Sequence, residues 1–297
     1  MMNQKTMAKY QQLRQTWKAN DDKRDAGLNP HPADVQRLDN ISYGNHGKAN
    51  LLDIYRPSEY SGRLPVIINV HGGGYFYGSK ETYQFYGLMM AQAGFAFVNF
   101  NYQLAPAVHY PSEINEVNQV FHWVAAHGDQ YDFDLKNVFI DGDSAGAQMA
   151  EQYITAYTNP HYRKLLHFTQ PQLTLRAGLL NCGCYFLERQ LAQPSVIDAY
   201  FTPTSRQQYH DALQVENYIS SDFLPTFVMT ATNDPLRDTG VRFDQFLTDR
   251  QIPHRFAEYG TIKHPRGHVF HINQQGDPVA YRCNRAEITF LRQHCQK

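Results

Sequence analysis

Two glycine-rich runs carry the residues best suited to covalent chemistry. In Gly142-Asp143-Ser144-Ala145-Gly146, the serine is a candidate nucleophile. A serine hydroxyl becomes one when it is lifted clear of the backbone and given a base. A strand that turns sharply into a helix lifts it, and small residues two before and two after the Ser let the backbone pass. Val138-Phe139-Ile140 reads as the strand before the turn, and residues 147–158 are compatible with the helix after it. The five-residue pattern alone is weak, and its bland alternative is a turn with an incidental Ser; the strand–turn–helix context gives it weight. The second run, His71-Gly72-Gly73-Gly74, follows the apolar stretch Val66-Ile67-Ile68-Asn69-Val70. Acyl transfer builds negative charge on a carbonyl oxygen, and each backbone N–H aimed at that oxygen is worth about 3–4 kcal/mol. Three glycines after a buried strand let the backbone come that close.

These groups need a frame, and the chain alternates in a way that supplies one. Residues 41–57 read as two strands around the turn residues Asn45-His46-Gly47. Val66–Val70 and residues 95–100 are short apolar runs of the kind buried on both faces. Helix-compatible stretches cover residues 83–93 and 113–127. Further strands are expected at 177–185, 226–231 and 254–259, and a closing helix at 277–295 with Pro278 in its first turn. Strands alternating with helices imply an α/β fold, a mostly parallel sheet covered on both faces. Two segments break the rhythm. Residues 186–222, rich in Tyr, Gln and Ser, read as a small inserted cap. Residues 1–30 read as a polar helical leader without a clear core face, or as a helix leaning over the site. The whole of 1–297 is expected to form a single domain.

Composition narrows the partners. The 297 residues carry a net charge of −1, with 42% hydrophobic and 19% charged residues. That is globular composition without the basic excess that binds nucleic acid or anionic membranes. The polar start lacks the apolar core of a secretory signal, and no window reaches the roughly 18 apolar residues of a membrane span. A cytoplasmic protein is the expectation. The four cysteines fit reduced thiols. Cys283 and Cys295 are separated by about 18 Å of helical rise, too far to bridge. Cys182 and Cys184 flank Gly183 in a strand-like run, and Cys-x-Cys is a poor match to zinc-ligand spacing. No metal is expected.

The order of motifs resembles a known family. His71–Gly74, Asn101-Tyr102-Gln103-Leu104-Ala105-Pro106, Gly142–Gly146, Asp234-Pro235-Leu236-Arg237-Asp238 and Gly267-His268-Val269-Phe270 stand in the order of the hormone-sensitive-lipase-like and acetyl-esterase-like branch of α/β-hydrolases. Leu52-Asp53-Ile54-Tyr55-Arg56-Pro57 is similar to the entry strand of related bacterial carboxylesterases. The resemblance spans roughly residues 40–295. It implies an eight-stranded sheet, a Ser–Asp–His triad and no cofactor. Tyr75, Ala147, Thr232 and Asn233 depart from the family's usual residues, and none of them is a catalytic group.

The acid should follow the nucleophile and the base should come last. Asp234 stands just past the strand at 226–231; Asp238, inside the next helix, is the alternative. His264, His268 and His271 all follow the last strand. Pro265 biases His264 toward extended backbone, and Gly267 lets the chain bend before His268. The family's Gly-His-x-Phe pattern falls on His268. The resemblance thus implies catalytic Ser144, Asp234 and His268, with the amides of Gly73, Gly74 and Ala145 as the oxyanion hole. Asp143 and His71 read as residues that shape and brace the two loops. Tyr75, Phe76 and Tyr77 are expected either to line the pocket or to pack beneath the cap. The leading expectation is a serine carboxylesterase acting on small short-chain esters. An amidase, aryl formamidase or short-peptide hydrolase would use the same groups. A non-catalytic ligand receptor on this fold is the reading from another class.

Overall fold

A computed structural model of the chain describes residues 4–296; Met1–Asn3 and Lys297, the ends of the expected leader and closing segment, lie outside the described residues. The strands form where the apolar runs predict them. Val66, Ile68 and Val70 pack on one face of the sheet, while Ile67 packs on the other. Side chains alternate across a strand, so an unbroken apolar run is what two covered faces require.

Eight strands make one sheet: β1 (Val35–Ser42), β2 (Leu51–Pro57), β3 (Leu64–Val70), β4 (Ala96–Phe100), β5 (Phe133–Asp143), β6 (Leu175–Asn181), β7 (Thr226–Ala231) and β8 (His254–Tyr259). Their order is β1-β2-β4-β3-β5-β6-β7-β8. β2 is antiparallel to both its neighbours, and β4 through β8 are paired in parallel. Helices α1 (Gln4–Asp25), α2 (Gln84–Gln92), α3 (Ser112–Ala126), α4 (Ala145–Thr158) and α5 (Pro160–Leu165) precede the insertion. The short helices α6 (Leu187–Gln190) and α7 (Pro203–Gln208) belong to it, and α8 (Arg237–Asp249) and α9 (Pro278–His294) follow. Asp277 caps α9 by accepting the Val279 amide at 2.8 Å. β3 connects to β4 on one side while β5 pairs on the other, so the strand order reverses between β3 and β5. Ligands of open α/β sheets bind outside the carboxyl ends of strands at such a reversal. Both glycine-rich runs leave the sheet there.

Four expectations need correction. The first strand begins at Val35, and its connection to β2 is no tight turn at Asn45-His46-Gly47. The connection ends in a 3₁₀ turn at Gly47–Asn50. Asn50, fully buried, holds it by accepting the His46 amide at 3.0 Å and donating to Glu116 at 2.9 Å. Second, β6 stops at Asn181, which leaves Cys182 and Cys184 in the turn beyond it. Third, α1 does have a contact face. Tyr10 is buried, and Leu13 and Trp17 pack on the main core. The rest of that face is Arg14, Asp21 and Arg24, which bond to carbonyl groups and to Tyr77. A face that satisfies backbone carbonyls is polar, so hydrophobic periodicity does not reveal it. Fourth, Cys295 lies just past the end of α9, as its C-cap, and not within it.

Candidate active site

Ser144 sits where β5 passes into α4, with φ 54° and ψ −115°. For a non-glycine residue this is a strained backbone, and such strain concentrates at functional sites. The close packing explains the flanking glycines. A Cβ on Gly146 would lie 1.9 Å from the Val70 carbonyl oxygen, and one on Gly142 would lie 2.4 Å from the Gly146 carbonyl oxygen. Both contacts are with backbone, which cannot swing aside. The Ser144 amide is anchored on the Asn181 carbonyl at 2.9 Å.

The His71–Gly74 loop lies beside this turn because β3 and β5 are neighbours, with Val70 opposite Gly142. Asp143 joins the two by accepting the Gly72 amide at 3.2 Å. Burial raises the Asp143 carboxyl to about 6 against the opposing pull of Tyr83, His268 and that amide. His71 is fully buried. Its Nδ1 is 2.8 Å from the Gly72 carbonyl, and its ring stacks on Tyr102 at 4.0 Å. Burial lowers its pKa to about 4, so near neutral pH it is an uncharged brace. Gly73 and Gly74 have φ of 125° and 59°, the region that favours glycine. Among the described residues, their amides find no acceptor within the protein. Ala145 opens α4, where the N–H has no intrahelical partner.

Asp234 lies just beyond β7. Its Oδ1 accepts from His268 Nδ1 at 2.8 Å and from the Leu236 amide at 2.7 Å. Burial pushes its pKa up, but His268, the Cys182 thiol and the Leu236 amide outweigh that and hold it below the ordinary value. The loops that carry Asp234 and His268 run side by side. Asn233 pairs with Gly267 in an isolated parallel bridge, and the Asn233 amide donates to the Arg266 carbonyl at 2.9 Å. Asp238 is 97% exposed on α8. His264 is exposed. His271 is no part of the cavity wall: it is buried beneath the loop, 3.3 Å from the Asn181 side-chain nitrogen and edge-on to Tyr86. Burial, with the neighbouring His268, lowers its pKa to about 3.

Ser144, His268, Gly73, Gly74 and Ala145 line one cavity of about 690 Å³. Among the hydrogen bonds of the described residues, His268 pairs with Asp234 and none joins it to Ser144; in free enzymes this bond is often long and tightens with substrate. Tyr75 and Tyr77 reach the cavity, but Phe76 does not. Phe76 turns under α1, 5.0 Å from the rings of Tyr10 and Trp17. Sequence patterns miss the rest of the wall. Trp17, Asp21 and Arg24 arrive from α1, and Ser195, Val196 and Ile197 from the insertion. The spacing Tyr10–Leu13–Trp17 is the one signal that marks α1 as packed.

An eight-stranded sheet of this order, with a serine at the sharp turn after β5, is the α/β-hydrolase fold. Esterase B from Lactobacillus rhamnosis superposes on it with a TM-score of 0.89 at 21% identity, covering 98% of this chain and 96% of that one. Residues 52–173 match the family described as BD-FAE. Carboxylesterase NlhH of Mycobacterium tuberculosis is 28% identical over 243 residues, 77% of this chain and 75% of that protein. The protein named "Probable carboxylic ester hydrolase LipM" from the same organism is 29% identical over 241 residues; the match takes in 75% of this chain and 55% of LipM. The chain therefore has the α/β-hydrolase fold, and in sequence it is similar to carboxylesterases.

Proposed function

We propose that this chain hydrolyses small, neutral carboxylic esters of short acyl groups through an acyl-enzyme on Ser144. The observation that carries this reading is Ser144 on its strained turn, in one cavity with a His268 whose far nitrogen is 2.8 Å from Asp234. Ser144 Oγ attacks the ester carbonyl carbon, and its proton passes to His268 Nε2. The carbonyl oxygen becomes an oxyanion facing the amides of Gly73, Gly74 and Ala145. Asp234 fixes the ring and offsets the imidazolium charge. The C–O bond to the alcohol breaks as His268 returns the proton to the leaving oxygen. Water then attacks the acyl-enzyme with His268 as its base, releasing the acid and restoring the serine.

The cavity's charged groups support a neutral substrate. Arg24 is engaged by Asp21 and Asp25, and Asp277 is taken up by Arg266 and the start of α9. No uncommitted ion among these waits for a charged ligand. Among the described residues no helix is long and apolar enough to cross a membrane, and we read the chain as cytoplasmic. The test is a series of activated esters from acetyl to decanoyl. kcat/KM should peak at two to four carbons. A deep apolar tunnel would instead add about 0.8 kcal/mol per methylene, and a specificity constant that climbs steadily to decanoyl would refute the short-acyl reading.

A further inference from the structure

Cys182 takes no part in the steps above, yet it lies directly beneath them. Its Sγ belongs to a cluster with Asp234 and His268 in which one donor atom of each lies within 4.8 Å of the others. The same Sγ accepts the Val269 N–H at 3.5 Å, and Val269 is the residue after His268. Val269 has φ 56° and ψ 30°, a left-handed backbone that a β-branched residue rarely adopts. Cys182 is itself left-handed, with φ 49°. Its amide is held by the Met229 carbonyl at 2.7 Å, on the strand that delivers Asp234. Two non-glycine residues in a disfavoured conformation therefore meet through one N–H···S contact, one of them beside the acid and the other beside the base.

The thiol is fully buried, and burial followed by the Asp234 charge pushes its pKa well up. It is therefore a protonated S–H. Its Sγ is 4.0 Å from the Met229 sulfur, and a carboxylate oxygen of Asp234 lies within 4.8 Å of it. The carboxylate is charged and is the stronger acceptor.

We infer that Cys182 is a positioning residue for the triad: its thiol donates toward Asp234 and accepts the Val269 N–H, so that acid and base loops keep one register. This rests on the triad reading above. A loop that relaxes by a fraction of an ångström misaligns His268 during proton transfer while leaving the binding walls in place. The cost should appear in kcat and not in KM.

The test compares Cys182→Ala, Cys182→Gly and Cys182→Ser with the unaltered enzyme, and runs Ser144→Ala in parallel, on p-nitrophenyl acetate with melting temperatures measured. Glycine suits the left-handed backbone and keeps the test open should the alanine variant not fold. Removal of the thiol should lower kcat about tenfold or more, with KM held within about twofold. Serine, which both donates and accepts, should recover most of that loss. Wild-type kcat in a folded Ala or Gly variant overturns the inference. So does a loss that serine does not relieve, or one that moves kcat and KM together with the melting temperature. If Ser144→Ala keeps turnover, the triad reading itself fails; if Ser144→Ala is inert and the Cys182 variants are normal, only the role of Cys182 fails.

Discussion

Three histidines follow the last strand, and their surroundings separate them by burial and by hydrogen-bond partner. His268 has a carboxylate on Nδ1 and opens to the cavity with 30% of its side chain exposed. His271 is buried and held neutral, and His264 stands in solvent. On one activated ester, His268→Ala should lose about 10⁴-fold or more in kcat, the scale of a lost triad member. His264→Ala should keep near-normal turnover, and His271→Ala should lose stability ahead of activity. A dead His264 variant would misplace the base. Ser144, Asp234 and His268 are legible as candidates because each sits in a short pattern of its own: a glycine pair, a strand end, a glycine before a histidine. Cys182 and Phe76 are not legible. What they do depends on chain 87 residues away at Val269, or 66 residues away at Tyr10, and no local pattern carries that.

The elements divide the same way. β7 and β8 run over the residues at which strands are expected, and α4 begins two residues before its expected start, directly after Ser144. The polar α1 is where periodicity fails, because its contacts are hydrogen bonds to backbone. Arg14 donates from Nε to the Phe76 carbonyl at 2.8 Å and from Nη2 to the Ala105 carbonyl at 2.7 Å. Tyr10 donates to the Val196 carbonyl at 2.6 Å. These contacts make α1 a clasp that joins the glycine loop to the insertion. Hydrogen bonds from a charged group contribute about 1.5–3 kcal/mol. Arg14→Ala should lower stability by about that much in a urea titration, and kcat should fall with it because the Phe76 carbonyl belongs to the Gly73–Tyr77 turn. An unchanged midpoint and unchanged turnover would show that α1 merely rests on the surface.

For the whole molecule, the conspicuous feature is buried carboxyl groups outside the site. Glu287 on α9 is fully buried; its Oε2 accepts the Tyr86 hydroxyl at 3.0 Å. Burial raises its pKa from 4.5 to about 7, with partial relief from Tyr86, Cys283 and Asn181. Asp141, in the same network, is also pushed well up by burial and by the Glu287 charge. A raised carboxyl binds its proton more tightly in the folded state than in the unfolded one. Its contribution is therefore full below pH 4.5 and is lost as pH rises through about 7. The shift corresponds to up to about 3 kcal/mol. Glu287→Gln cannot ionise, so its stability relative to the unaltered chain should improve steadily from pH 5 to pH 8. A difference that stays flat across that range would mean that Glu287 is ionised throughout. This network of Tyr86, Asn181, Cys283 and Glu287 is assembled from three separate elements, α2, β6 and α9, and sequence patterning does not expose it.

The central claim is that Ser144 is the nucleophile. Its most direct test is to treat the protein with a fluorophosphonate, map the adduct by peptide mass, and follow residual ester hydrolysis. One phosphonate should appear on the peptide containing Ser144, in step with lost activity. Ser144→Ala should fold normally, take up no label, and fall by about 10⁴-fold or more in kcat. A label on another residue, or an alanine variant with near-normal turnover, would contradict the account.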